Sequence, residues 1–110
     1  GVRYRVTPAH RGPSTGCCLI VVTPDAQRTM NTYLGASVHF GPDDVDPDAV
    51  AAGKVLYLEG YLFDPPEAQE AFRVAATHAR RAGRTVSMTL SDGFCVDRHR
   101  AAFLDMVEHH

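Results

Sequence analysis

No GxxxxGK(S/T), GxGxxG or GxSxG string occurs in the 110 residues. The phosphate loop, the dinucleotide fingerprint and the hydrolase nucleophile turn therefore have no support. Cysteine is scarce. Cys17, Cys18 and Cys95 form neither an even disulfide framework nor a CxxC pair, which favours a reducing compartment. Adjacent Cys17 and Cys18 point to opposite faces of a strand and cannot line one site together, so they read as small core or pocket-wall residues. Lysine is nearly missing: ten arginines stand beside the single Lys54, a bias to which we attach no functional weight. The net charge of −2 lacks the basic excess that phosphate-backbone binding needs, so nucleic acid is not an expected partner. No apolar run approaches a membrane span and no signal peptide opens the chain, so the expectation is a soluble, cytoplasmic protein with no membrane partner. His10, His39, His78 and His99 fall at no metal-binding spacing. Asp43, Asp44, Asp46 and Asp48 lack the glycine and glutamate of a calcium loop at the required offsets and read as a solvated linker, so no residue is assigned as a metal ligand.

What is present is ordinary globular material, with 45% hydrophobic and 22% charged residues in a length that suits one small domain. The organising stretch is TGCCLIVVTPDAQRTMNTYLGAS, residues 15 to 37. Residues 17 to 23 are apolar and β-branched, as a buried strand would be, and Thr23-Pro24-Asp25 has the composition of a type I turn with proline at its second position. In the returning strand the period of two puts Arg28, Met30, Thr32 and Leu34 on one face and Thr29, Asn31 and Tyr33 on the other. An arginine heading a row of apolar and small side chains could grip a phosphate or carboxylate at the mouth of an apolar pocket; an edge-strand arginine with a solvated tip remains the alternative. Upstream, Val2, Tyr4 and Val6 alternate with Arg3 and Arg5, which predicts a half-exposed strand that joins the hairpin in a three-stranded sheet. Residues 8 to 14 form the loop between them.

Further along, Asp46-Pro47 predicts a short helix over residues 48 to 52, closed by Gly53. Val55 to Leu58 reads as a strand buried on both faces, as in a parallel sheet. Glu59 then stands at its carboxyl end, where α/β sheets bind ligands, with a capping or salt-bridge role equally open. A helix follows, with Asp64 as N-cap, Pro65 at its first position and Glu67 completing a capping box. Its apolar face is Ala68, Ala71, Phe72, Ala75, Ala79 and Ala82, and Gly83 ends it. Residues 85 to 90 form a second strand, so residues 54 to 90 make a parallel βαβ unit with Ser91-Asp92-Gly93-Phe94 on the ligand side. Asp97 is the expected cap of a last helix carrying Phe103, Leu104, Met106 and Val107, with no partner for its apolar face in sight.

TPDAQRTMNTYLGAS resembles the lid and substrate-side segment of the PfkB (ribokinase-like) carbohydrate and nucleoside kinases, and most of all their adenosine-kinase-like branch. KVLYLEGYLFDPP at 54 to 66 and TVSMTLSDGFCVDRHR at 85 to 100 resemble consecutive strands of the same family in the same order. The resemblance implies an α/β fold: part of a ribokinase-like doubly wound fold, with a small β lid and a β-α-β-α portion of the main sheet. On that reading residues 1 to 40 carry the lid strands and hairpin, 41 to 53 a linker with a short helix, and 54 to 110 an incomplete core domain. Arg28 matches the arginine that contacts the transferred phosphoryl group; Cys18, Met30, Thr32, Leu34, Leu62 and Phe94 match pocket-wall positions around the acceptor. The family's amino-terminal sugar-binding strands, its NxxE motif used with magnesium and its GxGD motif with the base aspartate have no counterpart here. The chain is thus expected to be an internal segment of a kinase that uses ATP and Mg2+, itself inactive, binding neither alone, and associating through open sheet edges or with the remainder of the kinase. The implied reaction is transfer of the γ-phosphoryl group to a primary hydroxyl of adenosine. Ribose or another sugar, or a non-catalytic ligand-binding module, are the alternatives.

Overall fold

The computed structural model describes residues 1–110, which fall into two compact units: Thr7–Val38, and Gly1–Val6 together with His39–His110. The smaller unit is a hairpin of β1 (Thr15–Val22) and β2 (Arg28–Gly35), paired antiparallel from Thr15↔Gly35 to Val22↔Arg28. The Ala26 amide donates to the Thr23 carbonyl at 2.8 Å and the Thr23 amide to the Gln27 carbonyl at 3.0 Å, with Ala26 at φ 65°. The connection is therefore a three-residue loop in which the turn begun by Pro24 and Asp25 is closed by a left-handed residue. The Thr23 hydroxyl donates to the Asp25 carboxylate, and that bond holds the Asp25 pKa below its ordinary value. At the open end Gly35 has φ 58°, and a Cβ there would lie 2.2 Å from the Ser14 carbonyl, so only glycine fits.

Two expectations for the amino-terminal stretch fail. Residues 1 to 6 form no strand, and the hairpin's sheet has two strands, not three. Alternation of Val2, Tyr4 and Val6 gives a face but no ladder partner. With Val2 99% and Tyr4 76% exposed, there is no burial to offset the entropy of fixing an isolated strand.

In the larger unit α1 (Pro47–Ala52) begins at the Asp46 cap, whose Oδ1 accepts from the Asp48 and Ala49 amides, and Gly53 ends it. β3 (Val55–Glu59) then pairs in parallel with β4 (Thr85–Thr89), Val55 opposite Thr85 and Glu59 opposite Thr89. The crossover is α2 (Pro66–Arg81). It buries Ala68, Ala71, Phe72, Ala75, Ala76 and Ala79, the alanine-rich stripe that allows close packing. It stops where Gly83, at φ 67°, lets the Arg84 amide reach the Ala79 carbonyl and the Gly83 amide the Arg80 carbonyl.

The capping box at the start of α2 does not form. The helix starts one residue later than expected, at Pro66 after Pro65, with no side-chain cap. Asp64 faces α3 (Gly93–His109) instead, accepting from Arg98 Nε at 3.1 Å and from His99 Nε2 at 2.7 Å. A carboxylate only accepts here, so Nε2 carries the ring proton. α3 also begins earlier than expected: Asp92, not Asp97, is its cap, accepting from the Cys95 amide at 2.7 Å, and the helix is interrupted at His99 (φ −125°). Its apolar face has a partner after all, since Phe103 stacks on Phe63 with centroids 4.3 Å apart and planes at 4°, and Met106 is buried in the same core. Leu104 and Val107 stay exposed.

Two outcomes follow from this geometry. Ala26→Gly relieves a left-handed alanine and should stabilise the hairpin by about 1 kcal/mol, read as slower exchange of the Thr23 amide. Unchanged or faster exchange there would mean that the loop carries no strain. The hydrogen bond from His99, reinforced by Arg98, depresses the Asp64 pKa, so its stabilising contribution is present above the unfolded carboxylate pKa and is lost as pH falls through the lower, folded value. Asp64→Asn should flatten the acid limb of a stability-versus-pH curve below about pH 4, and an unchanged limb would assign it to other carboxylates.

Candidate functional site

The register of the hairpin decides which side chains share a face. Arg28 lies opposite Val22, Met30 opposite Ile20 and Thr32 opposite Cys18, so these six form one surface, continued by Leu34 at the open end. Cys18 Sγ and Thr32 Oγ1 are 3.3 Å apart, within hydrogen-bond reach for sulfur. Arg28, Cys18, Met30, Thr32 and Leu34, five of the residues singled out in the sequence, are thus brought onto one face. Met30 is 57% and Leu34 47% exposed, so this is an open apolar wall. No carboxylate pairs with Arg28 at its edge. A guanidinium free of ion pairs beside an apolar wall can take an anionic group through its fork of donors.

Leu62 and Phe94 belong to the larger unit, each just beyond the carboxyl end of a parallel strand. Leu62 is half-buried on the core, and with Leu56, Leu58, Phe40 and Phe72 it walls an apolar cavity of about 310 Å³ along the free edge of β3. Phe94 is 77% exposed on the first turn of α3.

The same carboxyl ends hold a polar array that the sequence only hinted at. Glu59 stands at the N-cap position of the 3-10 turn over Gly60–Phe63, but its side chain makes no cap hydrogen bond and no salt bridge. Its Oε1 accepts from the Ser91 hydroxyl at 2.6 Å and its Oε2 from the Tyr57 hydroxyl at 3.4 Å. Beside it the Tyr61 hydroxyl donates to Asp92 Oδ2 at 3.2 Å, and the Asp92 charge pushes the Tyr61 pKa up. The buried Cys95 thiol donates to the Gly60 carbonyl at 3.2 Å, and burial raises its pKa, so it stays protonated. Three links, Glu59 to Ser91, Tyr61 to Asp92 and Gly60 to Cys95, therefore tie the end of β3 to the end of β4 and the start of α3. The order of elements placed Ser91-Asp92-Gly93-Phe94 on the ligand side, but each partner lies about thirty residues away, where no local pattern reaches.

Glu59 can accept a hydrogen bond from a hydroxyl-bearing ligand. No three His, Cys, Asp or Glu side chains converge into a group that would hold a metal ion on its own.

Curated proteins provide no match. A probable sugar kinase protein from Rhizobium etli CFN 42 is 54% identical, with a TM-score of 0.86 over 94% of this chain and 31% of that chain. The adenosine kinase from Sinorhizobium meliloti is 52% identical, with a TM-score of 0.85 over 93% of this chain and 31% of its own. The chain thus spans about a third of the length of these structures, and it shares their ribokinase-like α/β architecture. The model for the pfkB family of carbohydrate kinases matches residues 1–109, and the chain belongs to that family.

Proposed function

We propose that this chain supplies the lid and acceptor-side portion of a kinase that transfers the γ-phosphoryl group of ATP to a primary hydroxyl of adenosine. The observation that carries the reading is Arg28: a guanidinium without an ion-pair partner, at the edge of a face formed with Met30, Thr32, Leu34 and Cys18. In phosphoryl transfer charge builds on the oxygens of the transferred group, and a positioned arginine neutralises it at no cost of reorganisation. The apolar wall beside Arg28 suits a nucleobase or sugar ring, as does the exposed ring of Phe94. Within the larger unit, taken by itself, Glu59 offers an acceptor to a ligand hydroxyl.

Bound ATP would supply the phosphoryl group and Mg2+ would screen its charge; no step is assigned to the metal. Family membership and the adenosine kinase relative support the choice of adenosine. A sugar such as ribose is the second reading, supported by the comparably similar probable sugar kinase and by the hydroxyl-accepting Glu59.

In the full-length protein Arg28→Ala should lower kcat and kcat/KM together, by about 3 kcal/mol in transition-state stabilisation on the scale of one lost oxyanion donor. The acceptor KM should change little. Steady-state kinetics with adenosine and ATP check this, and an unchanged kcat would return Arg28 to a solvated edge role.

A further inference from the structure

Ser91 has φ 68°, a left-handed conformation that serine adopts at a cost and glycine adopts freely. The strain is held on both sides. The Ser91 amide donates to the Thr89 hydroxyl at 3.1 Å, and its own hydroxyl donates to Glu59 Oε1 at 2.6 Å, the short distance typical of a charge-assisted bond. Across from it Gly60 leaves the room this needs, since a Cβ on Gly60 would lie 2.5 Å from the Thr89 carbonyl and 2.8 Å from Ser91 Oγ. If backbone geometry were all that mattered here, glycine would serve better at position 91. The hydroxyl is what a glycine would lack, and Glu59 is the group it reaches.

The consequence falls on the carboxylate. With Oε1 taken by Ser91 and Oε2 touched only by the long 3.4 Å bond from the exposed Tyr57, the carboxylate is oriented while Oε2 keeps capacity for another donor. We propose that Ser91 is a positioning residue: its hydroxyl, held by the left-handed backbone over Gly60, fixes the Glu59 carboxylate so that Oε2 accepts a hydrogen bond from a hydroxyl of the phosphoryl acceptor. This rests on the kinase reading above. It adds a residue that acts through Glu59 without touching substrate, and it assigns the strained backbone a purpose.

The test uses the full-length protein with Ser91→Gly, Ser91→Ala, Glu59→Gln and the Ser91→Gly/Glu59→Gln pair, assayed with adenosine and with ribose. Ser91→Gly removes hydroxyl and strain together, so its melting temperature should equal or exceed that of the parent, while Ser91→Ala keeps the strain and melts lower. Both should raise the acceptor KM about tenfold, the scale of one lost hydrogen bond to a charged group, with a smaller change in kcat. In the Glu59→Gln background Ser91→Gly should add little, because both changes remove the same interaction. An active parent whose Ser91→Gly variant keeps its KM, or whose two substitutions add in full, overturns the Ser91 assignment alone. A parent without ATP-dependent phosphorylation of adenosine or a sugar overturns the kinase reading and the Ser91 role with it.

Discussion

The larger unit depends on where Phe63 goes. It lies in the 3-10 turn that follows β3, fully buried, stacked on Phe103 and met edge-on by Phe72 at 5.3 Å. One ring thereby joins the β3 connection, the crossover helix and the last helix, and the alanines of α2 bring that helix close enough for the contact. The turn's polar backbone is not abandoned, because Gln69 Nε2 donates to the Phe63 carbonyl at 2.7 Å. Anchoring Phe63 also anchors what precedes it: Glu59, Gly60 and Tyr61 sit immediately upstream and inherit their placement from a packed ring. A polar array at the ends of parallel strands needs that kind of support, since hydrogen bonds between exposed groups are individually weak.

The hairpin is built on the opposite principle. Leu19, Ile20, Val21, Val22, Met30, Tyr33 and Leu34 are all about half exposed or more, and the strands hold each other by backbone pairing and cross-strand contacts. A two-stranded ribbon with two wet faces draws little stability from burial, so its turn chemistry and the tight Gly35 junction matter more than they would in a packed sheet. An arginine here keeps its guanidinium available because no acidic side chain lies near enough to claim it.

Much of this was legible in the residues because it is local. Pro24-Asp25 set a turn within four residues, alternation placed Arg28, Met30, Thr32 and Leu34 on one face, and Asp46-Pro47 opened a helix that Gly53 closed. Two apolar runs separated by an alanine-striped helix read as parallel strands and are paired that way. The same logic misplaced Asp64, Asp97 and residues 1 to 6. A capping motif states only that an aspartate could bond its own helix; reaching across from α3, Arg98 offers Asp64 a charged donor and His99 a ring N–H in place of the helix's own amides.

The sequence by itself therefore determined the elements with short-range causes: the hairpin and its faces, the βαβ order, and the glycines where the backbone turns. Only the tertiary structure decided which long polar side chain meets which, that Ser91 takes a left-handed backbone to reach Glu59, and that Phe103 finds Phe63. A strand's period is written in neighbouring residues, whereas the partner of a carboxylate or an aromatic ring is whatever the packed fold brings within a few ångströms of it.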